Sequence, residues 1–441
     1  MNGVRVVGDL DHNFAWDGGR LYERADFRVG SPVPYELRGA AAAVDDDGRG
    51  RWRVLRDPLG LNKLFWAPSA DTVLIAARPR RLVDEGCAFE DIRAVPRGSV
   101  LDFSSSDLDP VPHSIRASSR RETDGTRAVC FETIATEIRQ TLHGYFAALA
   151  ERYPAAQVFV CLSGGLDSSG IAALAREHFS NVVAASFDLA RRRGQVSEDR
   201  RTAERFARDL HMPFFSVTLT EDQLFAALDI VLVEGIDWRD FNVHAALVNA
   251  ALATVITEAV GGRERSSSVL VLTGDLANEF LVDYHPEIYR GAMYYALPRL
   301  EPLALRASLV HGLDSCHREV GVFEAWGLPV VQPYAAAVDA YLALPEAFLR
   351  LEDRKPRLAR AVFGSRLPEY VYSRPKVRAQ VGSTDPAGGV LAACVDRGFD
   401  GRWLRQRFAE LHGVRDPSAL DRFIRAGRYR AAPPCLARVG T

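Results

Sequence analysis

Lysine is scarce in this sequence. Among 441 residues and 55 basic side chains, only Lys63, Lys355 and Lys376 are lysines, and every other basic residue is arginine. A lysine ammonium is a compact point charge, whereas the arginine guanidinium is a planar fork, so the two are not interchangeable where geometry matters. Each lysine kept in such a chain is therefore a candidate functional residue.

Long apolar runs are also lacking. No stretch of about 18 apolar residues occurs that would span a membrane. The first residues, MNGVRVVGDLDHNF, have neither the basic nor the apolar region of a secretion signal. The sequence therefore predicts a soluble, cytoplasmic protein without a membrane partner.

Neither sign of charge prevails, and paired cysteines are missing. The formal net charge is −2, which argues against a broad surface for nucleic acid, so no nucleic-acid partner is expected. The six cysteines include no CxxC pair, so neither a zinc-type spacing nor a disulfide framework is indicated. We expect reduced thiols.

The length predicts two domains, because a single core rarely grows beyond about 250–300 residues. Residues 1 to about 105 alternate short apolar runs with Asp/Gly and Pro/Ser turns, and residues 40–60 and 64–79 have the pattern of hairpins. The polar segment 103–126 is the predicted linker. We assign residues 1–115 to a β-rich first domain and residues 126–441 to a second domain.

The second domain alternates strand-like and helical patterns. Its apolar runs are AQVFVCL, NVVAASFDL, MPFFSVTL and SSVLVLTG, and helical patterns lie between them. This alternation predicts a doubly wound parallel sheet, and the residues beyond 290 are predicted to be largely helical. The expected fold class is thus α/β and α+β, in two domains.

The motif SGGLDSS, residues 163–169, lies at a predicted strand-to-helix turn. Its glycines allow close approach of the backbone, and the helix N-terminus offers unpaired N–H groups to an anion. On residue chemistry alone, the Ser and Asp side chains either cap the helix or belong to a phosphate site. The motif is neither a Walker loop nor GxGxxG.

In this strand–loop–helix context, SGGLDSS matches the pyrophosphate loop of ATP pyrophosphatases. It resembles the asparagine synthetase family, including its β-lactam synthetase branch. The resemblance implies an adenine nucleotide alpha hydrolase-like fold for the second domain, with ATP and Mg²⁺ as cofactors. The ATP-binding residues it implies are Leu162, Ser163, Gly164, Gly165, Asp167, Ser168, Ser169, Ser186, Gly274 and Lys355.

The segment LRDPLGLNKLFWA, residues 55–67, resembles a hairpin of the family's glutaminase domain, which is similar to the N-terminal nucleophile hydrolases. The resemblance implies a β-rich sandwich whose nucleophile is a cysteine exposed by removal of Met. Here Asn2 occupies that position, and the first cysteine is Cys87. Covalent glutaminase chemistry needs the thiolate, so we expect a degenerate glutaminase-like domain, as in the β-lactam synthetase branch.

The segment SSVLVLTGDLANEFLVDY resembles the family's strand that ends in a metal-binding loop. Gly274 matches the family glycine, and Asp275 falls where asparagine synthetases have Glu and β-lactam synthetases have a catalytic Tyr. Asn278 falls on a magnesium-binding Asp, and Asp167 resembles the other magnesium ligand. Because an amide is a weaker Mg²⁺ ligand than a carboxylate, ligation by Asp275 or by Glu279 is also open. The alternative is that DLANEF only caps a helix.

Two further segments carry candidate catalytic residues. Glu319 is the preferred counterpart of a family Glu that helps to accept a proton from the attacking amine, and Glu324 is the second choice; either is alternatively a solvated helix residue. The segment EDRKPRLARAVFGSRLPEYVYSRPK resembles the family's lysine-containing tail. It implies that Lys355 lies near the ATP phosphates and Lys376 at the reacting centre. Lys63 is expected to be structural.

Together these features predict a glutamine-independent amide or lactam synthetase of specialised metabolism that adenylates a carboxylate. Asp275, Glu319 and Lys376 are its predicted catalytic residues, and Asp167, Asn278 and Glu279 its predicted metal ligands. The alternatives are amidation by an external amine or ammonia, macrolactam formation on a peptide, and a non-catalytic scaffold. The expected partners are a small-molecule or peptide substrate and a second copy in a homodimer.

Overall fold

The computed structural model describes residues 3–33, 37–70, 72–104, 112–114, 130–190, 196–262, 269–383 and 388–429. The chain groups into two compact units. The first unit comprises Met1–Ala128, Val310–His317 and Gln406–Thr441, and the second comprises Val129–Leu309 and Arg318–Arg405.

The N-terminal part of the first unit is built almost entirely from strands. Its elements are β1 (Gly3–Val6), β2 (Ala15–Trp16), β3 (Leu21–Tyr22), β4 (Ala42–Asp46), β5 (Arg51–Arg56), β6 (Phe65–Ser69), β7 (Thr72–Ala76), α1 (Pro79–Asp84), β8 (Arg93–Ala94), β9 (Ser99–Ser104) and β10 (Pro112–Ser114). They form a sheet of order β1-β7-β6-β8, a sheet of order β10-β9-β5-β4, and the pair β2-β3. The predicted hairpins are confirmed as the antiparallel pairs β4–β5 and β6–β7.

One apolar core is shared by the two four-stranded sheets of the first unit. It includes Trp52 of β5, Trp66 of β6, Ile75 of β7 and Phe103 of β9. The rings of Trp66 and Phe103 meet edge to face, with centroids 6.1 Å apart, an arrangement that aromatic quadrupoles favour. The first unit is therefore β-rich, and its two four-stranded sheets pack on each other. Its likeness to N-terminal nucleophile hydrolases stays a prediction.

Lys63 lies inside this first unit. Its Nζ donates hydrogen bonds to the carbonyl oxygens of Gly60, of Leu61 at 3.2 Å and of Leu313 at 2.9 Å. Burial and the nearby Arg56 lower the pKa of Lys63 to about 8. The ammonium thus ties the DPLG turn to a later segment of the same unit, which is a structural role.

Helices dominate the rest of the chain. The elements along residues 130–429 are α2 (Phe131–Arg152), β11 (Gln157–Cys161), α3 (Leu166–His178), β12 (Val182–Leu189), α4 (Glu198–Asp209), β13 (Phe214–Leu219), α5 (Glu221–Phe225), α6 (Leu228–Glu234), α7 (Asp240–Ala259), β14 (Val269–Leu272), α8 (Ala277–Leu281), β15 (Glu287–Tyr289), β16 (Ala292–Tyr294), α9 (Pro302–Gly312), α10 (Val320–Ala325), β17 (Val330–Val331), α11 (Val338–Leu342), α12 (Glu346–Leu349), α13 (Arg354–Phe363), α14 (Glu369–Tyr372), α15 (Ala379–Gly382), α16 (Gly389–Asp396), α17 (Gly401–Leu411) and α18 (Ser418–Tyr429).

The second unit contains a five-stranded, wholly parallel sheet of order β13-β12-β11-β14-β17. The chain proceeds from β11 through β12 to β13 and then returns to β14 on the other side of β11. The strand order therefore reverses between β11 and β14, the place where a doubly wound sheet opens a crevice at its strand ends. The four predicted strands and the doubly wound order are confirmed, whereas β17 was not predicted.

The predicted linker 103–126 is wrong in part. β9 extends through Ser104, and β10 at Pro112–Ser114 pairs antiparallel with it. The other residues of that segment lie outside the described residues. The first unit also takes Val310–His317 and Gln406–Thr441, which a division of the chain at one linker does not anticipate.

Two simpler features complete the description. Within the described ranges, no helix is long and apolar enough to cross a membrane. The five cysteines in those ranges carry free thiols.

Candidate active site

The SGGLDSS loop joins the end of β11 to the start of α3. Gly165 occupies the N-cap position of α3 and offers no side chain there. The Ser163 hydroxyl accepts a hydrogen bond from the Gly165 N–H at 3.3 Å, and its oxygen lies 3.2 Å from that of Ser168. The contacts of Ser163 thus stabilise the turn. The N-terminus of α3, where the N–H groups and the positive end of the helix dipole lie, favours an anion. The loop acts both as a helix start and as a potential phosphate cradle.

Two glycines allow backbones to approach at this loop. Gly164 has a φ of +72°, and a Cβ there would lie 2.6 Å from the Thr202 side chain. A Cβ on Gly274, which follows β14, would lie 2.7 Å from the backbone nitrogen of Ser168. Only glycine fits such contacts, so the loop after β14 lies directly against the first turn of α3.

Lys355, at the start of α13, reaches the same place. Its Nζ lies 2.5 Å from Asp167 Oδ2, 2.5 Å from Asn278 Oδ1 and 3.2 Å from Asp283 Oδ2. Burial alone would lower the pKa of Lys355, but the carboxylates of Asp167 and Asp283 outweigh it and raise that pKa. The side chain is therefore a buried, permanently charged cation beside the loop.

Lys376 reaches two of the same acceptors. Its Nζ donates to Asn278 Oδ1 at 2.7 Å and to Asp283 Oδ2 at 2.7 Å, and it also reaches the Asp283 carbonyl oxygen. Burial and the charge of Lys355 lower the pKa of Lys376 to about 8. Burial would raise the pKa of Asp283, but the two lysines hold it well below its usual range. Asp283 was not predicted as a site residue.

The short helix α8 carries two candidate metal ligands, Asn278 and Glu279, and directs them to different partners. Its flanking residues, Leu276 and Val282, have φ values of 83° and 55°, which non-glycine residues rarely adopt. Such strain persists only where the surroundings impose it, and it clusters at functional sites. The helix points Asn278 to the lysines, whereas the Glu279 carboxylate accepts hydrogen bonds from Tyr284 at 2.5 Å and Arg318 at 3.0 Å. The structure therefore brings Asp167 and Asn278 together and directs Glu279 to a different partner.

Arg318 is the centre of a second polar cluster. Its buried guanidinium donates to Glu279, to Glu319 at 2.5 Å and to Asn242 at 3.0 Å. Burial and the charge of Glu319 raise the pKa of Asp275 to about 7, and Arg318 opposes the shift. A pKa near 7 lies in the range that suits a general base.

Arg374 and Asp199 form an ion pair that sequence reasoning missed. Arg374 donates to the Ser163 carbonyl at 2.7 Å and to Asp199 Oδ1 at 2.5 Å. Burial raises the pKa of Asp199 to about 6 in spite of that partner. The segment YSRPK offered the signal, because Arg374 lies two residues before Lys376 in the motif that identified the lysine.

A cavity of about 240 Å³ connects these groups. Its lining includes the predicted residues Leu162, Ser163, Gly165, Asp167, Ser168, Ser186, Gly274, Asp275, Asn278, Glu319, Lys355 and Lys376. The described residues that line the cavity do not include the candidates Gly164, Ser169, Glu279 and Glu324. Ser169 is wholly buried, and its N–H donates to the Gly165 carbonyl, while Glu324 lies on α10. The cavity therefore favours Glu319 over Glu324 as the residue near a substrate.

The family comparison bears directly on this cavity. Residues 148–318 match the family model for asparagine synthase. These residues form an asparagine synthase domain. The predicted resemblance is confirmed for this segment, and it supports an ATP-dependent, amide-forming ligase in general. The domain contains the loop, Asp275 and Asn278, whereas Glu319, Lys355 and Lys376 follow it in the chain.

Solved structures similar to the chain that carries this asparagine synthase domain include three synthetases. NMN synthetase from Francisella tularensis is 12% identical over 70% of this chain and 97% of its own, with a TM-score of 0.33. NH3-dependent NAD synthetase from Campylobacter jejuni is 12% identical over 70% and 97%, with a TM-score of 0.30. NAD+ synthetase from Burkholderia pseudomallei is 17% identical over 68% and 91%, with a TM-score of 0.30. No curated protein sequence matches the chain.

Proposed function

We propose that the protein is an ATP-dependent amide or lactam synthetase of specialised metabolism. It adenylates a substrate carboxylate, releases pyrophosphate and joins the acyl group to an amine of the substrate without using glutamine. One observation carries the proposal: two of the three lysines in the chain, Lys355 and Lys376, converge on Asn278 beside the SGGLDSS loop.

The loop and Lys355 form the binding site for the ATP phosphates. The N-terminal amides of α3 and its dipole favour a polyanion. The Lys355 ammonium, which forms an ion pair with Asp167, adds a fixed positive charge next to those amides. A phosphate oxygen is a stronger partner for that ammonium than the neutral Asn278 amide.

The donor set at this point also fits Mg²⁺. Oxygens of Asp167, Asn278 and Asp283 contact the Lys355 ammonium. Oxygens that attract this cation would also attract a metal ion. Hard oxygen ligands of this kind suit Mg²⁺, and Asp167 and Asn278 would hold it. When bound, Mg²⁺ supplies positive charge to the phosphates. Glu279 is engaged by Arg318 and Tyr284, so we do not assign it to the metal.

Lys376 acts at the reacting centre. A substrate carboxylate oxygen attacks the α-phosphorus of ATP, and the bond to pyrophosphate breaks. Negative charge develops on the oxygens at phosphorus, and later on the acyl oxygen when the amine attacks. A positioned ammonium stabilises such charge most where water is excluded. Asp283 holds Lys376 in place through its carboxylate and its carbonyl oxygen.

Asp275 takes the proton from the attacking amine. Its pKa of about 7 makes it partly ionised at neutral pH, and Glu319 raises that pKa by its negative charge. Glu319 is fixed by Arg318 and lines the same cavity, so it is the second member of this pair. After proton transfer, the amide forms and AMP leaves.

Independence from glutamine rests on the first unit. Asn2 lies outside the described residues, and the first cysteine in the sequence is Cys87. Burial together with Asp91 and Glu85 raises the pKa of Cys87, which disfavours its thiolate. Cys87 is therefore poorly suited to be the nucleophile that a glutaminase needs.

The test supplies the full chain with ATP, Mg²⁺ and a panel of amino acids and peptides that carry both a free carboxylate and a free amine. Mass spectrometry follows the products with and without ammonia or glutamine. The proposal expects loss of one water within a single substrate, unchanged by ammonia or glutamine. Incorporation of ammonia or of a second molecule favours the external-amine alternative. Conversion of glutamine to glutamate contradicts glutamine independence, and absence of both turnover and ATP binding indicates a scaffold.

A further inference from the structure

Three potential metal ligands meet away from the cavity, where α2 passes the C-terminal end of α3. His143 belongs to α2, and Glu177 and His178 are the last two residues of α3. Nδ1 of His143 lies 3.1 Å from Nε2 of His178 and 3.9 Å from Glu177 Oε2. One ligand atom from each residue falls within 4.8 Å of the others.

Packing between α2 and α3 determines this arrangement. The ring of Phe146, three residues after His143 on α2, lies against the ring of His178 with centroids 5.9 Å apart. Residues three apart lie on the same face of a helix, so the phenyl group and the imidazole of α2 both face the end of α3. The orientation of the His178 ring is thereby restricted.

The distance between the two imidazoles suits a tetrahedral ion. Bonds of about 2.0–2.1 Å from zinc to histidine nitrogen place two ligand nitrogens about 3.3 Å apart in a tetrahedral site. The observed separation of 3.1 Å is close to that value.

The end of α3 is a favourable place for a cation. The last turn of a helix carries the negative end of the helix dipole, which favours a positive charge, and His178 ends α3.

We propose that His143, Glu177 and His178 form a binding site for a divalent transition-metal ion of the Zn²⁺ type, with solvent as the remaining ligand. The side chains of His143 and Glu177 are 29% and 40% exposed, which leaves an open position for water. Two imidazoles and one carboxylate are a ligand set that zinc accepts.

Arg366 limits the affinity of this site. Its Nε donates to Glu177 Oε1 at 2.5 Å. The guanidinium therefore competes with a metal for the carboxylate and places a positive charge beside it. Replacement of Arg366 by a neutral residue should therefore strengthen metal binding. Such a gain of affinity cannot result from a variant that fails to fold.

The metal would lie far from the phosphate loop. α3 runs from Leu166 to His178, and 12 residue steps of about 1.5 Å separate its two ends by about 18 Å. Binding at one end therefore stabilises the pair α2 and α3 without touching ATP. The inference is independent of the proposed synthetase activity.

The test uses the untagged full-length chain, stripped by a chelator and titrated with Co²⁺ as a spectroscopic probe and then with Zn²⁺. We expect one equivalent of Co²⁺ to give ligand-field bands that Zn²⁺ abolishes. His143→Asn and His178→Asn should each weaken binding at least tenfold, and Arg366→Gln should strengthen it severalfold. The exposed His211, two residues after the end of α4, provides the matched control: His211→Asn should bind as the wild type does. Absence of saturable Co²⁺ binding, or equal affinity in His143→Asn and wild type, overturns the proposal.

Discussion

Lys355 and Lys376 share one acceptor: both ammonium groups donate to Oδ1 of Asn278, at 2.5 and 2.7 Å. Two cations around one neutral amide repel each other. Asp167 and Asp283 supply the compensating charge, since each carboxylate contacts at least one of the lysines. The site is thus a compact ionic cluster that a polyphosphate can enter by replacing protein oxygens.

Asn278→Asp should lower the Mg²⁺ requirement. A carboxylate in place of the amide adds a harder, charged oxygen beside Asp167, so Mg²⁺ should bind more tightly. We expect the Mg²⁺ concentration for half-maximal pyrophosphate release to fall about tenfold, which corresponds to about 1.4 kcal/mol. Asn181→Asp adds the same charge at an exposed position of the second unit and should change nothing. An unchanged Mg²⁺ dependence in Asn278→Asp would remove this residue from the metal site.

Lys376→Met should abolish amide formation while leaving ATP binding largely intact. Removal of one group that stabilises developing charge costs about 10²–10³ in rate. Lys376→Arg keeps the charge but changes its shape, and it should recover part of the rate. The measurement is single-turnover amide formation alongside ATP affinity. Full turnover by Lys376→Met would exclude the residue from the mechanism.

The rate should depend on pH as a bell. Asp275 must be ionised to accept a proton, and its pKa of about 7 means that the rate falls as the pH decreases through 7. Lys376 must be charged, and its pKa of about 8 means that the rate falls as the pH rises through 8. Asp275→Asn should remove the acidic limb and lower the maximum. If the acidic limb persists in Asp275→Asn, another group is the base.

Gly274→Ala should disrupt ATP binding. The new Cβ would lie 2.7 Å from the Ser168 backbone nitrogen, and a backbone atom cannot move aside cheaply. We expect the affinity for a non-hydrolysable ATP analogue, measured by calorimetry, to fall at least tenfold (about 1.4 kcal/mol). Gly401→Ala is the matched control, because a Cβ there meets nothing within 4 Å. Wild-type affinity in a folded Gly274→Ala would contradict the close approach of β14 to α3.

Much of the second unit could be predicted because its strands are continuous apolar runs. β11, β12 and β14 are largely buried in a parallel sheet, and such strands consist mainly of Val, Leu, Ala and Phe. β13, at the edge of the sheet, is mostly half-buried but is also a short apolar run. β17 was missed because it has two residues, Val330 and Val331, between helical segments. A run that short carries no period by which to recognise a strand.

The candidate site was predictable where motifs are local and not where partners are distant. The loop and the two lysines are recognisable from short strings and from the scarcity of lysine. The Glu279 carboxylate accepts a hydrogen bond from Arg318, which lies 39 residues further along the chain, and only the fold brings the two side chains together. Asp283 carries no motif of its own, and its importance appears only when two lysines from later helices and turns reach it.

The most direct test of the central claim is the identity of the nucleotide that ATP leaves behind. The full chain is incubated with Mg²⁺, ATP labelled at the α-phosphorus and the panel of amino acids and peptides, and the labelled nucleotides are separated. Because the account places attack at the α-phosphorus, it predicts AMP and pyrophosphate in equal amounts, each matched to one amide bond formed. ADP with inorganic phosphate accompanying the amide would contradict it.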